Sequence, residues 1–359
     1  MPRPQTKNKT IDENVQEYRG QILEWYNKHQ RELPWRNTKG QKPDPYKVWM
    51  SEIMLQQTTV QAVKSYYTKF LKRWPNVKVL AAADREDIMA EWAGLGYYSR
   101  ARNLHACANI VANEHGGKFP QTQTELKKLP GIGDYTSAAI TAIAFNKPAT
   151  VVDGNIERIM ARFHAITEPM PKSKPLLKEK AAELFHEYKD RPGDLAQALM
   201  DIGATICTPK SPKCAICPIS EDCEGRAQAI AETLPTKLKK KPKPQKEGFV
   251  YLITNDKNQI LLHKRPEKGM LAGTIGLPTS EWNEDRPSHL KFLGNHSALD
   301  LKSFVTHSFT HFDLKLHLNS VSWKKNIGSP DGFFWINKAD VAKDTFPTLF
   351  RKALNLLFE

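Results

Sequence analysis

Cys207, Cys214, Cys217 and Cys223 stand in a C-x6-C-x2-C-x5-C arrangement, the feature that most narrows what this chain can be. Four thiols gathered into one short loop are hard to place as ordinary packing, and in a reducing compartment they read as ligands rather than disulfides. Four thiolates suit a [4Fe–4S] cluster or a tetrahedral zinc ion. The uneven spacing differs from paired C-x2-C knuckles and favours iron–sulfur. The fifth cysteine, Cys107, lies in an apolar helical pattern and reads as core. Lys210 and Lys213 within the loop, and Arg226 just after it, add positive charge that a backbone phosphate would meet.

A chain of 359 residues exceeds what one core usually holds and suggests two domains. Its net charge of +14 fits a polyanionic partner, although other basic proteins share it. From Gly248 onward Lys and Arg number 14 against 11 Asp and Glu, so +11 of the +14 belongs to the first 247 residues. That part is expected to make most of the phosphate contact. No run approaches the roughly 18 apolar residues of a membrane helix, and the charged N-terminus leads into no apolar signal segment. A cytoplasmic protein without membrane partners is expected.

The first two thirds read as helices divided by Gly and Pro. Thr10 with Glu13 forms a capping box ahead of a stripe through Val15, Tyr18, Ile22 and Tyr26. Asp44 and Pro45 begin a helix through Trp49 and Glu52, and another covers Thr58 to Trp74. The segment LPGIG, Leu129 to Gly133, separates two helices, Asp153 precedes the helical NIERIMARF, and Asp194 opens a helix leading into Cys207. Residues 1–234 therefore read as an all-α domain containing the cysteine loop, and 235–247 as a basic linker whose lysines stay solvated. In 248–359 the period changes: FVYLIT, NDKN and QILLHKR give strand, turn and strand, and Phe312, Leu314, Leu316 and Leu318 alternate with polar residues. An α+β domain with an antiparallel sheet is expected, closed by an amphipathic helix over Thr345 to Phe358.

Two carboxylates stand out. Glu52 is surrounded by Ile53, Met54 and Leu55, where loss of water would keep it protonated as a general acid, whereas Asp153 looks like a helix cap. A solvent-facing glutamate and a purely structural cap are the plain alternatives. Acids of contrasting environment are, however, what glycosidic cleavage needs: one protonates the leaving group and the other stabilises the sugar cation. Gly131 and Gly133 would let a phosphate approach backbone N–H groups at a helix N-terminus, although a G-x-G between helices is more often a plain turn. The aromatic and basic neighbours in LPWR and GLGYYSRAR suit base stacking as well as packing.

The glycine hairpin, the aspartate about twenty residues later and the cysteine spacing together resemble the helix–hairpin–helix DNA glycosylases that carry an iron–sulfur cluster. Within them, LPWR, SEIMLQQTTV, GLGYYSRARNL, VVDGNIERIMAR and the second domain resemble MutY-type adenine glycosylases over nearly the whole chain. The resemblance implies one [4Fe–4S] cluster on the four cysteines, with a monovalent cation at the hairpin. It makes Glu52 the acid that protonates adenine N7 and Asp153 the carboxylate that stabilises or traps the deoxyribosyl cation, supported by Tyr135 and Asn155. Arg36, Leu55 and Gln197 would line the adenine pocket, Gln57 and Tyr97 would wedge into the stack, and Gly131 and Gly133 would grip the backbone. The second domain resembles the Nudix fold without its glutamate-rich hydrolytic box, so it is expected to bind 8-oxoguanine through Phe309, Thr310 and His311, where the family has Phe-Ser-His. The implied partner is double-stranded DNA with adenine opposite 8-oxoguanine, met by a monomer, in a bacterium at the nucleoid.

Tyr135 separates subclasses, because bifunctional relatives carry a lysine there as an amine nucleophile. Base removal without efficient strand cleavage is therefore expected. Asp134 stands where many relatives have Arg and is expected to weaken the hairpin's phosphate contact slightly. The rival readings are a bifunctional glycosylase/lyase, a glycosylase acting on thymine or uracil opposite guanine, and a non-catalytic iron–sulfur DNA-binding module.

Overall fold

The structure is a computed structural model that describes residues 11–37, 41–238, 241–285, 287–294, 297–323 and 331–358. Thr10 of the expected capping box and two residues of the expected linker, 239 and 240, lie outside the described residues. The chain forms two compact units, Met1–Ala81 with Ala106–Lys239 and Ala82–His105 with Lys240–Glu359. The second unit thus takes in a stretch that the sequence reading gave to the helical domain. Its ties there are long-range and polar: Arg85 Nη2 meets Glu267 Oε2 at 2.5 Å, Lys264 Nζ meets Glu86 Oε1 at 2.6 Å, and Arg102 donates to the Ala272 carbonyl.

The first unit is all helix, from Ile11–His29 through Pro45–Leu55, Val60–Arg73, Asp134–Phe145, Gly154–Phe163 and Lys174–Phe185 to Pro192–Thr205. The start of the last lies at Pro192, with Asp194 inside its first turn. Local chemistry sets these boundaries. Asp44 accepts from the Tyr46 N–H with Pro45 at the first helical position, Thr59 accepts from Ala62 N, and Asp153 accepts from both Asn155 N and Ile156 N. Each such cap contributes about 1 kcal/mol. The helices bury Ile22, Ala139, Ile156, Met160, Leu195 and Leu199 in one core, and Cys107 is fully buried elsewhere in the chain, its thiol pushed up to about 12 by burial.

Among its described residues the second unit has the strands β1 (Gln245–Asn255), β2 (Gln259–Lys264), β3 (Ile275–Gly276), β4 (Leu299–Ser308), β5 (Asp313–Trp323) and β6 (Phe333–Asn337). They form one sheet in the order β3-β2-β1-β5-β4, with β6 also pairing β2. β1 begins inside the stretch read as linker. The expected β1–β2 hairpin forms, and Asn255 Oδ1 shapes its turn by accepting from Lys257 N and Gln259 N.

The sheet is mixed rather than antiparallel, because β1 and β5 pair in parallel from Gln245↔Asp313 to Asn255↔Trp323. Alternation of side chains tells which face a residue takes but carries no strand direction. β1 is buried on both faces, Val250 and Leu252 in one core and Tyr251 and Ile253 in the other, as a parallel neighbour allows. The helix Thr348–Leu357 covers the first of these faces with Leu349, Phe350 and Leu354.

Candidate active site

The helix Pro45–Leu55 is apolar over most of its surface, so Glu52 is drawn inside with Trp49, Met50 and Ile53 and keeps only 6% of its surface exposed. Burial pushes its carboxyl up to about 7. A hydrogen bond from Tyr135 and the charge of Arg36 pull the other way, and the charge of Asp153 adds to the rise. The Tyr135 hydroxyl donates to Glu52 Oε2 at 2.8 Å and lies 3.5 Å from Met200 Sδ. The sequence reading assigned Tyr135 to Asp153; its hydrogen bond goes to Glu52 instead. Arg36, Leu55 and Gln197 join Glu52 and Tyr135 around one cavity of about 60 Å³, so the expected base-pocket residues come together from four separate segments.

Asp153 caps the helix Gly154–Phe163. Its Oδ1 accepts from two backbone N–H groups, and its Oδ2 accepts from Asn155 Nδ2 at 2.7 Å. Asn155 is fixed in turn by Arg158, whose Nη2 donates to Asn155 Oδ1 at 2.9 Å and to the Gly203 carbonyl at 2.6 Å. Gly203 is required by space: a Cβ there would stand 2.5 Å from Asn155 Cβ. Arg158 Nε also donates to the Cys207 carbonyl at 2.7 Å. A continuous chain of hydrogen bonds therefore joins Asp153 to the cysteine loop.

Arg162, one turn further along the same helix, is 2% exposed and serves the loop directly. It donates to Cys207 Sγ at 3.3 Å, to the Thr208 carbonyl at 2.7 Å and to the Pro209 carbonyl at 3.2 Å. Cys207, Cys214, Cys217 and Cys223 line a common cavity of about 30 Å³ together with Arg162 and Arg226. Four converging thiols with cationic donors beside them fit an anionic metal–thiolate cluster. Neither Arg158 nor Arg162 was singled out from the sequence. Their signal was there: two arginines four residues apart share one helix face, here an inward one.

Gly131 turns the hairpin with φ +78°, a backbone that strains any other residue, and Gly133 caps the helix Asp134–Phe145 without a side-chain partner. Asp134 is ion-paired with Lys127, which with its hydrogen bond holds the carboxyl below its ordinary range. The pairing offsets part of the negative charge that Asp134 brings to the hairpin. Gln57 is exposed and holds φ +55°, an unusual backbone for a side chain of that kind.

In the second unit Tyr97 is 45% exposed and also left-handed, with φ +49°. Its hydroxyl shares a hydrogen bond with Thr310 Oγ1 at 3.1 Å. Both line a cavity of about 350 Å³ with His307, Phe309, His311 and Arg102. Phe309 is turned inward, its ring stacked on Trp282 at 5.7 Å and against Phe312 at 4.9 Å, while Thr310 and His311 are exposed. The triplet thus divides into an anchor and two presented polar groups.

Comparison with known proteins supplies the family. Residues 50–187 match the HhH-GPD superfamily of base excision DNA repair proteins, 207–223 match the iron–sulfur binding domain of endonuclease III, and 249–356 match a NUDIX domain. The loop is therefore a [4Fe–4S] motif rather than a zinc site. A solved thermostable thymine-DNA glycosylase is 29% identical with a TM-score of 0.53, covering 61% of this chain and 100% of its own. An endonuclease III in complex with DNA shares the fold of the first part, with a TM-score of 0.51 at 20% identity over 62% of this chain and 99% of its own.

No helix among the described residues is long and apolar enough to cross a membrane. The adenine DNA glycosylase of Buchnera aphidicola subsp. Baizongia pistaciae is 40% identical over 69% of this chain and 70% of that protein. That of Homo sapiens is 32% identical over 95% of this chain and 74% of its own length. Likeness of that extent, running through both domains, places the chain in the adenine DNA glycosylase family, as an iron–sulfur helix–hairpin–helix enzyme followed by a Nudix-like domain.

Proposed function

We propose that the protein hydrolyses the N-glycosidic bond of adenine mispaired with 8-oxoguanine or guanine in double-stranded DNA, and that it leaves the strand uncut. The observation that carries the reading is the buried Glu52 carboxyl, held at about 7 beside Arg36, Leu55, Tyr135 and Gln197. At neutral pH a large fraction of it is protonated, as an acid catalyst requires.

In this mechanism adenine leaves the duplex and enters the pocket, at a cost of a few kcal/mol that the mismatch lowers. Glu52 gives its proton to adenine N7, the C1′–N9 bond breaks, and its electron pair stays with the departing base. The sugar becomes an oxocarbenium-like cation. Asp153 faces it as a carboxylate whose oxygens are already fixed by Asn155 and the helix N-terminus, either stabilising the cation or forming a transient ester. Water then adds to C1′ and loses a proton. Tyr135 offers no amine for a Schiff base, so the lyase step has no nucleophile at that position. Cys207, Cys214, Cys217 and Cys223 would hold the cluster, which would tie the loop into one unit; Arg162 braces that loop, and Arg158 links it through Asn155 to Asp153.

The second domain would read 8-oxoguanine with Thr310 and His311, on the scaffold that Phe309 anchors, while Tyr97 and Gln57 enter the base stack. The protein is taken to act as a monomer on DNA, which in a bacterium is the nucleoid. A monovalent cation at the 129–133 hairpin belongs to the same reading.

The test uses purified protein and duplexes carrying one adenine opposite 8-oxoguanine, guanine or thymine, with thymine opposite guanine as a further substrate. Strand breaks that form only after hot alkali, fastest for adenine opposite 8-oxoguanine, are expected. Absence of any adenine-dependent product from cluster-intact protein overturns the reading, and breaks without alkali overturn the part that rests on Tyr135.

A further inference from the structure

Asp201 lies on the helix Pro192–Thr205, four residues after Gln197, and its side chain is fully buried. It accepts four hydrogen bonds from one short stretch of chain. Arg36 meets it as a two-pronged fork, Nη1 to Oδ2 at 2.5 Å and Nη2 to Oδ1 at 2.7 Å. Arg31 adds its Nε to Oδ1 at 2.5 Å and its backbone N–H to Oδ2 at 3.0 Å. A buried carboxylate taken up by two guanidinium groups and a backbone N–H is costly to desolvate, and a pair of this kind contributes to stability less reliably than to placement. Something other than stability has to account for it.

What Arg36 does next to Glu52 supplies that account. Both line the base pocket, and the arginine's charge favours the ionised form of Glu52. Two surrounding groups act on Glu52 besides Arg36: Tyr135 from the helix Asp134–Phe145, and Asp153 from the start of the next helix. Arg31 lines the same pocket without its own pairing to Glu52. A guanidinium free to turn toward Glu52 would form an ion pair with it, and an ionised Glu52 has no proton to give. Asp201 removes that option twice over, by engaging both Nη atoms of Arg36 and by offsetting its charge.

We propose that Asp201 is a positioning residue for base excision, which holds Arg36 in the pocket wall and keeps it from pairing with the acid Glu52. This rests on Glu52 acting as the general acid. Asp201 touches neither base nor sugar in this scheme; it acts through Arg36.

The experiment compares D201N, R36Q, the D201N/R36Q double variant and E52Q as full-length, cluster-loaded proteins. Single-turnover excision is followed across pH 5.5 to 9, with binding to an uncleavable duplex measured alongside. For D201N the expected result is a loss of at least roughly tenfold in rate at pH 7.5, with the midpoint of the alkaline fall in activity displaced downward by about one pH unit and DNA affinity within about threefold of the parent. The double variant is expected to excise no more slowly than R36Q, since the guanidinium that Asp201 keeps from pairing with Glu52 is already gone.

An unmoved midpoint in D201N with the parent's rate overturns the proposal, as does a double variant more than tenfold slower than R36Q. If D201N loses its cluster absorbance because two guanidinium charges are left unpaired, the double variant, which removes one of them, decides by the same criterion. E52Q separates this inference from the reading beneath it. Full activity in E52Q defeats the function proposed for Glu52, whereas an inactive E52Q beside an unaffected D201N defeats only the role of Asp201.

Discussion

The pocket around Glu52 and the cavity around Thr310 are built on opposite plans. In the first, the polar groups are buried or half-buried and each is held by another: Tyr135 on Glu52, Asn155 on Asp153, Arg158 on Asn155, and Asp201 on Arg36. In the second, the presented groups are exposed, and the described contact among them is the single hydrogen bond between Tyr97 and Thr310 over an inward-turned Phe309. Chemistry needs atoms fixed within fractions of an ångström and electrostatics undiluted by water, which only a buried and mutually restrained set provides. Recognition of a base can use groups that remain solvated until the partner arrives, at the cost of a weaker contribution from each. Changes in the first region should therefore reduce rate steeply, and changes in the second should alter selectivity modestly.

The sharpest break with that contrast would be an unharmed E52Q. The amide keeps the shape of the side chain and has no acidic proton, so excision is expected to fall by about a thousandfold, within the range for a lost general acid, while binding of an uncleavable duplex stays close to the parent's. If Glu52 is the acid, the parent's rate should itself decline as pH rises through about 7, where the carboxyl loses its proton.

The same shift has a consequence for stability. A carboxyl moved from 4.5 to about 7 by folding stabilises the protein fully below the lower value, and that contribution is lost as pH rises toward the upper one. The loss is on the order of 3 kcal/mol. Thermal denaturation between pH 5 and 8 should show the parent weakening and E52Q following a flatter course; parallel curves would mean that Glu52 is ionised throughout.

Glu52 was legible because a lone acid in an apolar helical stretch has nowhere to point but inward. The rule applies equally to Asp201 in ALMDIGA, which the sequence reading passed over because no motif drew attention to it. Asp153 and the glycine hairpin were legible as local signals, since caps and turns are settled by a few adjacent residues. The partners were not. That Tyr135 serves Glu52, that Arg158 spans from Asn155 to the Cys207 carbonyl, and that β1 runs parallel to β5 are facts about residues tens of positions apart. Periodicity fixes the face of an element and leaves its neighbours open. The grouping of residues 82–105 with the second unit has the same origin, in ion pairs such as Arg85 with Glu267.

A second test of the contrast lies away from the reacting atoms. G203A places a methyl 2.5 Å from Asn155 Cβ, where the helix Pro192–Thr205 and the start of Gly154–Phe163 leave no room. Asn155 must shift, and with it the hydrogen bond to Asp153 Oδ2. Overpacking of this kind costs about 1–3 kcal/mol of stability, and a displaced carboxylate is expected to lower the excision rate by roughly a hundredfold. Burial and the hydrogen bond from Tyr135, the leading influences on Glu52, are untouched, so the pH midpoint should move little, and downward if the Asp153 charge draws away. Binding lost in step with rate would argue instead that the helix end itself has come apart.

The smallest effects are expected at Thr310. T310A removes the hydroxyl that meets Tyr97, and the residue is exposed, so stability should change by no more than about 0.5 kcal/mol. If that hydroxyl reads the opposite base, the preference for 8-oxoguanine over guanine should drop by about tenfold, the worth of one hydrogen bond, with little change in the rate on adenine opposite guanine. T310S keeps the hydroxyl and loses only the methyl, so its preference should stay within about threefold of the parent's. Y97F addresses the alternative that Thr310 serves mainly to hold Tyr97. Were Y97F to lower the preference as much as T310A does, the two would act as one unit, and the exposed region would share more of the mutual restraint of the buried one than its geometry implies.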